Sequence, residues 1–335
     1  MDGRWAIVSL LLAGCSLHPS NNGGGAINLA VAGEWVIVAR GESGIDVLRA
    51  ATGERVGGRA PDGESDSYDD VASDGTTLLA LDADDGRLTS LAVGPGGSLD
   101  VVTDDLPVEV GPYSGVSLGG GRAVVSGGTS PLTLLSVDGK GALAKQGSLE
   151  RYRGLPDAVV LPDGRGALLS THFSGSSDEF VDGQEFGVST ISLSPLAFVD
   201  ARGLDGGGFT PGGGTPASWA VRADVRGDLA AVAHGGGLDL FRIDAGLALK
   251  RAGRLSLPFS AVAVALDGDR AYVVGASPPS LAEVDVSDVA APRLVATVAV
   301  SGADASPTAV VVVGDRVYVA AGAPEPEVFQ RPIQP

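Results

Sequence analysis

The chain has 335 residues, a formal net charge of −18, 44% apolar residues, only 5% aromatic ones and 51 glycines. Such an acidic chain repels phosphate backbones, which excludes nucleic acid as a partner, and glycine at about twice its ordinary usage points to a Val, Ala and Leu core broken by frequent turns. The single cysteine, Cys15, excludes an intrachain disulfide and any multi-cysteine metal or redox centre.

Residues 5–13 (WAIVSLLLA) are apolar but far shorter than the roughly 20 residues of a membrane span, which fits the apolar region of an export signal. Arg4 precedes the run, with Asp2 offsetting its charge. The run closes on Leu12-Ala13-Gly14-Cys15, which resembles the lipobox of bacterial lipoproteins: small residues at the cleavage site, then the thiol that accepts diacylglycerol. That resemblance implies a leader over residues 1–14, acyl chains such as palmitate on Cys15, and attachment to the cell envelope. Ser16, a residue other than Asp after the lipidated cysteine, implies the outer membrane of a Gram-negative bacterium. Residues 15–25 are the lipidated cysteine and a stretch with the composition of a flexible tether, leaving residues 26–335 for the folded domain.

From residue 26 onward one phrase recurs: an apolar strand, a tight turn with Gly and Asp, and a second apolar strand ending in a small residue. Its clearest copies are AVAVALDGDRAYVVGA (261–276) and TAVVVVGDRVYVAAG (308–322). Aligned on the turn, equivalent second-strand residues are Ile37, Leu79, Val124, Leu168, Ala231, Tyr272 and Tyr318, spaced by 42, 45, 44, 63, 41 and 46 residues. Third strands of alternating pattern follow, such as GIDVLRAA (44–51), PLTLLSVD (131–138) and GLDLFRID (237–244), and most units add a fourth. Short antiparallel strands in units of 40 to 50 residues are what a propeller blade requires, since radial packing leaves only short, protected edges. The expected fold is therefore all-β, a β-propeller of seven blades with about four strands each. A solenoid fits less well, because its repeats are usually shorter. The last unit ends near Val328 with three strands at most, so either its blade is incomplete or the N-terminal stretch completes it.

Residues 280–300 (SLAEVDVSDVAAPRLVATVAV) are similar to the LVIVD repeat, and residues 155–174 (LPDAVVLPDGRGALLSTHFS) to the related YVTN repeat of bacterial surface and secreted propellers. Both resemblances imply a propeller outside the cytoplasm, and neither implies a particular activity.

In a propeller, the loop leading into a blade and the loop joining its second and third strands share one face, around the channel mouth. Polar and aromatic residues expected on that rim are Arg40, Tyr68, Asp69, Asp82, Tyr113, Asp157, His172 and His234. Asp69, Asp82 and Asp157, with Asp70 beside them, offer hard oxygen ligands of the kind Ca²⁺ takes, while His172 and His234 are the domain's only histidines and candidate acid and base. The solvated rim of an acidic β protein would carry the same residues. The fourth unit holds two insertions, 173–186 with Phe180 and Phe186, and the glycine-rich 205–215, and loops on a rigid scaffold are where binding resides. Gly115-Val116-Ser117-Leu118-Gly119 matches G-x-S-x-G but lies on an inner strand before a hairpin, where no nucleophile elbow forms. Two functional classes stay open: a monomeric, non-catalytic binding or scaffold propeller for a protein or glycan with no cofactor, and a lactonase-like metal-dependent hydrolase with a divalent ion at the channel mouth.

Overall fold

The computed structural model describes residues 27–61, 67–110, 114–127, 132–149, 155–172, 186–204, 222–301 and 307–333. Their strands form seven antiparallel sheets, six of four strands and one of three, each in chain order from the inside outward. Blade 1 is β1 (Asn28–Ala32), β2 (Trp35–Ala39), β3 (Ile45–Arg49) and β4 (Arg55–Arg59). Blade 2 is β5 (Asp70–Ser73), β6 (Thr77–Asp82), β7 (Arg87–Val93) and β8 (Leu99–Pro107). Blade 3 is β9 (Gly115–Gly119), β10 (Arg122–Ser126), β11 (Leu132–Val137) and β12 (Leu143–Leu149). Blade 4 is β13 (Leu155–Val160), β14 (Gly166–His172), β15 (Phe186–Leu193) and β16 (Leu196–Gly203). Blade 5 is β17 (Arg222–Arg226), β18 (Leu229–His234), β19 (Gly237–Ile243) and β20 (Leu249–Leu255). Blade 6 is β21 (Ser260–Asp267), β22 (Arg270–Ser277), β23 (Pro279–Asp285) and β24 (Arg293–Ala299). Blade 7 is β25 (Ala309–Val313), β26 (Arg316–Ala320) and β27 (Glu327–Gln330).

Each innermost strand packs against the innermost strand of the next blade, and β25 packs against β1, so the seven sheets close a ring. The expected seven-bladed β-propeller is the observed fold, with three strands described for the last blade. The upper face is the end at which the first strand of a blade begins and its second strand finishes.

The core follows from the alternation. Inner strands send successive side chains to opposite faces of the sheet, so each blade offers an apolar face to both neighbours. Seven buried clusters result, one at each blade interface, from Trp35, Ile37, Val71 and Leu78 between blades 1 and 2 to Val36, Val38, Ala309 and Tyr318 between blades 7 and 1. Tyr272, Tyr318 and Phe241 are the largest fully buried side chains, each worth about 1.5–3 kcal/mol by the area removed from water. Tyr318 also donates its hydroxyl to the Ala50 carbonyl of blade 1 at 2.7 Å, tying the last blade to the first.

Two local devices repeat. Each described fourth strand carries a β-bulge opposite the third strand, at Val56, Val102, Gln146, Val199, Ala252 and Val295, and in blade 2 the register breaks a second time between Thr103 and Leu106. A bulge bends and twists the outer edge, which hinders pairing with another chain. At the lower face, Asp138, Asp244 and Asp285 end the third strands of blades 3, 5 and 6. Their Oδ1 atoms accept backbone N–H groups two residues on, from Lys140, Gly246 and Ser287. This Asx turn is the physical content of the Val-Asp-Val-Ser-Asp phrase. The turn in 155–174 is built differently, around Gly164 at φ 68°, where the left-handed region suits glycine. Gly120 of blade 3 approaches it so closely that a Cβ on either residue would strike the other's backbone.

Candidate functional site

Most of the expected rim residues hold the fold together. Tyr68 is 6% exposed and belongs to the cluster between blades 1 and 2; its hydroxyl accepts Arg59 Nε–H at 3.1 Å, and its backbone exchanges two hydrogen bonds with Gly41. Arg40 Nη1 bonds Asp46 Oδ2 at 2.7 Å, and Arg55 Nε lies 2.8 Å from the other oxygen. His234, fully buried, is built the same way in blade 5. Its Nδ1 accepts Gly236 N–H at 3.1 Å, so Nε2 carries the proton and donates it to Asp239 at 3.0 Å, with Arg251 Nε 3.8 Å from Asp239. The pairing registers make Asp46 and Asp239 equivalent, as they do Arg55 and Arg251, so one polar cluster is used twice.

Asp69 and Asp82 do come together, through Ser67. Ser67 Oγ lies 2.7 Å from Asp69 Oδ2 and 3.4 Å from Asp82 Oδ1. Backbone N–H groups add to these contacts: Ala83 on Asp69 Oδ2, Ser67 on Asp82 Oδ2, and Asp84 and Asp85 on Asp82 Oδ1. Burial, more than any neighbour, raises the Asp69 carboxyl above the usual range, with Asp84 and Asp82 adding to it. The pair caps the 83–86 turn. Asp157 keeps other company, and among the described residues no three His, Cys, Asp or Glu side chains converge where a metal would sit. The calcium set Asp69, Asp82 and Asp157 is therefore not assembled as one site, because adjacent Asp69 and Asp70 engage different partners. Tyr113 and Phe180 lie outside the described residues; of His172 and Phe186 only the backbone is described, pairing one with the other and His172 with Leu155.

The polar group that does assemble lies where the inner strands begin. The residues paired to the equivalent of Ala39 are Asn28, Asp70, Gly115, Asp157, Arg222, Ala263 and Ala309, one per blade around the channel. Blades 2 to 5 thus bring Asp70, Asp157 and Arg222 to one level, with Gly115 between the carboxylates. A Cβ on Gly115 would stand 3.0 Å from Asp70 Oδ2 and 3.8 Å from Asp157 Oδ1, so the two oxygens are no further apart than those distances combined. Asp70 is 4% exposed; its Oδ2 accepts Val116 N–H at 2.7 Å, and its Oδ1 has no hydrogen-bond partner among the described residues. Burial pushes the Asp70 carboxyl up to about 7; Arg222 and the Val116 amide oppose that rise, and Asp157 adds to it. Burial also raises Asp157, against Arg222 and the Ala223 amide. Asp224 continues the pattern, accepting Leu266 N–H of blade 6 at 2.7 Å, and it too is raised by burial. These carboxylates bridge neighbouring blades and make one side of the upper channel polar, facing the apolar side at Ala263 and Ala309. Arg222 was hidden in the sequence by the blade 4 insertion, which shifts the start of blade 5; Asp46 and Asp239 were legible as Gly-Ile-Asp and Gly-Leu-Asp opening two third strands.

No family model and no curated protein matches the chain. Among solved structures, the β-propeller domain of Cps50 (Swd1) from Myceliophteria thermophila aligns with a TM-score of 0.66 at 10% identity, over 92% of this chain and 97% of that one. A chain of a mitotic checkpoint complex aligns at 0.65 and 12% identity over 90% and 86%. A functionally unknown protein from Desulfotomaculum acetoxidans aligns at 0.59 and 15% over 76% and 75%. These likenesses establish the class, a seven-bladed β-propeller, and at such identities they carry the fold alone.

Proposed function

We propose that the chain is an extracytoplasmic β-propeller of LVIVD/YVTN type, anchored through lipid on Cys15 and binding a protein or glycan with its upper face rather than catalysing a reaction. The observation that carries the non-catalytic reading is the engagement of its candidate chemistry. His234 has both ring nitrogens bonded inside blade 5, both oxygens of Asp82 accept backbone N–H groups, and Asp69 Oδ2 accepts Ser67 Oγ–H and Ala83 N–H. Support for upper-face binding comes from the polar channel level formed by Asp70, Asp157 and Arg222. The strands flanking both blade 4 insertions, β14 with β15 and β16 with β17, also meet the insertions at that face. Support for the anchor is the Leu12-Ala13-Gly14-Cys15 sequence.

Fractionation of cells expressing the full chain and its Cys15→Ser variant tests the anchor: the wild type is expected in the membrane pellet and the variant in the soluble extracytoplasmic fraction. Retention of the variant in the pellet overturns it. Calcium-dependent turnover of esters or lactones by the purified chain would overturn the non-catalytic part.

A further inference from the structure

The upper end of the channel is unevenly filled. At the level of Asp70, blades 3, 6 and 7 contribute Gly115, Ala263 and Ala309, none longer than a methyl group, while blades 2, 4 and 5 contribute Asp70, Asp157 and Arg222. Backbone geometry does not call for the glycine: Gly115 opens β9 without a positive φ, so any residue can adopt its conformation. What a side chain there would enter is the gap between two carboxylates, with a Cβ 3.0 Å from Asp70 Oδ2 and 3.8 Å from Asp157 Oδ1.

The charges around that gap do not cancel. Two carboxylates face one guanidinium, and Arg222 acts on both through its charge while hydrogen-bonding to neither. The protein gives each carboxylate an amide from the next blade, Val116 N–H to Asp70 Oδ2 and Ala223 N–H to Asp157. Asp70 Oδ1, in a side chain only 4% exposed, is left without a hydrogen-bond partner among the described residues. An ionised carboxylate so placed is costly until a cation or a donor answers it. Nearby Asp82 and Asp224 are in a different state, because both oxygens of each accept backbone N–H groups. The donor set is poor for a metal: two carboxylates opposed by a guanidinium fall short of the roughly six to eight oxygens that Ca²⁺ takes. An ammonium or guanidinium, in contrast, brings one positive charge with several N–H donors on an apolar stem.

We propose that the gap over Gly115 receives one basic side chain, the ammonium of a lysine or the guanidinium of an arginine on a partner protein, held between Asp70 and Asp157 with its stem toward Ala263 and Ala309. The inference rests on the reading that the upper face binds a partner, and it narrows that partner to a protein with a protruding basic residue. Arg222 sets the stoichiometry. With it in place the ionised level carries one net negative charge, which a single basic side chain cancels and a second would overshoot.

The probe is acetylated tetralysine amide, titrated calorimetrically into the full chain at pH 8, above the Asp70 value of about 7, in about 0.15 M salt to screen the general attraction of a chain of charge −18. One site is expected. Its affinity should fall at least tenfold in Gly115→Ala, which fills the gap and changes no charge, and in Asp157→Asn, and should hold in Asp138→Asn at the lower face. In the unmutated protein a water-soluble carbodiimide should join a probe amine to Asp157 as an amide, a readout that needs no variant to fold. Cross-links confined to other carboxylates overturn the proposal. So does displacement of the probe by about 1 mM Ca²⁺ at constant ionic strength, or tighter binding of tetraglutamate, since these make the level a metal or an anion site. Absence of tetralysine binding overturns the basic-residue assignment and leaves upper-face binding standing; binding weakened by Asp138→Asn alone puts the site at the lower face and counts against both.

Discussion

Asp70 concentrates the chemistry of the upper channel in one side chain. Its folded value, near 7, lies above that of an unfolded aspartate, so the folded state holds the proton more tightly. The resulting stability is complete below about pH 4 and is lost as pH rises through 7. Asp70→Asn removes the ionisation and keeps an acceptor for Val116 N–H; it should melt higher than the wild type at pH 8, by on the order of 2–4 kcal/mol in stability, and equally near pH 4. Thermal melts across that range check it, and a variant less stable at pH 8 would contradict the sign. His234 carries a different expectation. Truncation to Ala leaves Asp239 buried without its imidazole partner, and should cost about 3 kcal/mol in urea unfolding. At this scale the sequence was informative about identity and misleading about role. Tyr68, Arg40 and His234 were recognisable as unusual residues at strand ends, but whether such a side chain faces water or a neighbouring blade depends on packing between units that are remote in the chain.

Turns and edges were read more accurately, because their rules are local. The Gly-Asp hairpins and the aspartates closing the third strands follow from backbone geometry that a few residues dictate. The bulges do not announce themselves: Val102, Gln146 and Val295 share a place in their strands and no chemistry, and only the pairing register exposes them. Contacts between elements of different blades are equally silent. Gly253 in β20 sits against the Val289 carbonyl in the turn before β24, so near that a Cβ would collide with backbone. Gly253→Ala should therefore force blades 5 and 6 apart at the lower face and cost more than about 2 kcal/mol, a loss readable as a lowered urea midpoint. An unchanged midpoint would show that the turn yields freely.

For the whole molecule, the period was the decisive signal, since a repeat of about 44 residues with short strands leaves few architectures open. Seven blades and the long fourth interval could be counted directly. The grouping of Asp70, Gly115, Asp157 and Arg222 could not, because these positions are brought to one level only when the ring closes. The short last unit was visible in the sequence, and among the described residues its sheet has three strands.

Among the described residues the apolar core divides into seven interface clusters, and this division has a consequence for how the chain is threaded. Cohesion passes around the ring from blade to blade, and the contact of blade 7 with blade 1, through Thr308 Oγ1 on the Ile27 carbonyl at 2.6 Å, is of the same kind as the others. Covalent order is then nearly independent of spatial order: a circular permutant opened in another connector of the upper face would meet the same neighbours. Among the described residues the ring is sewn shut where β25 packs against β1.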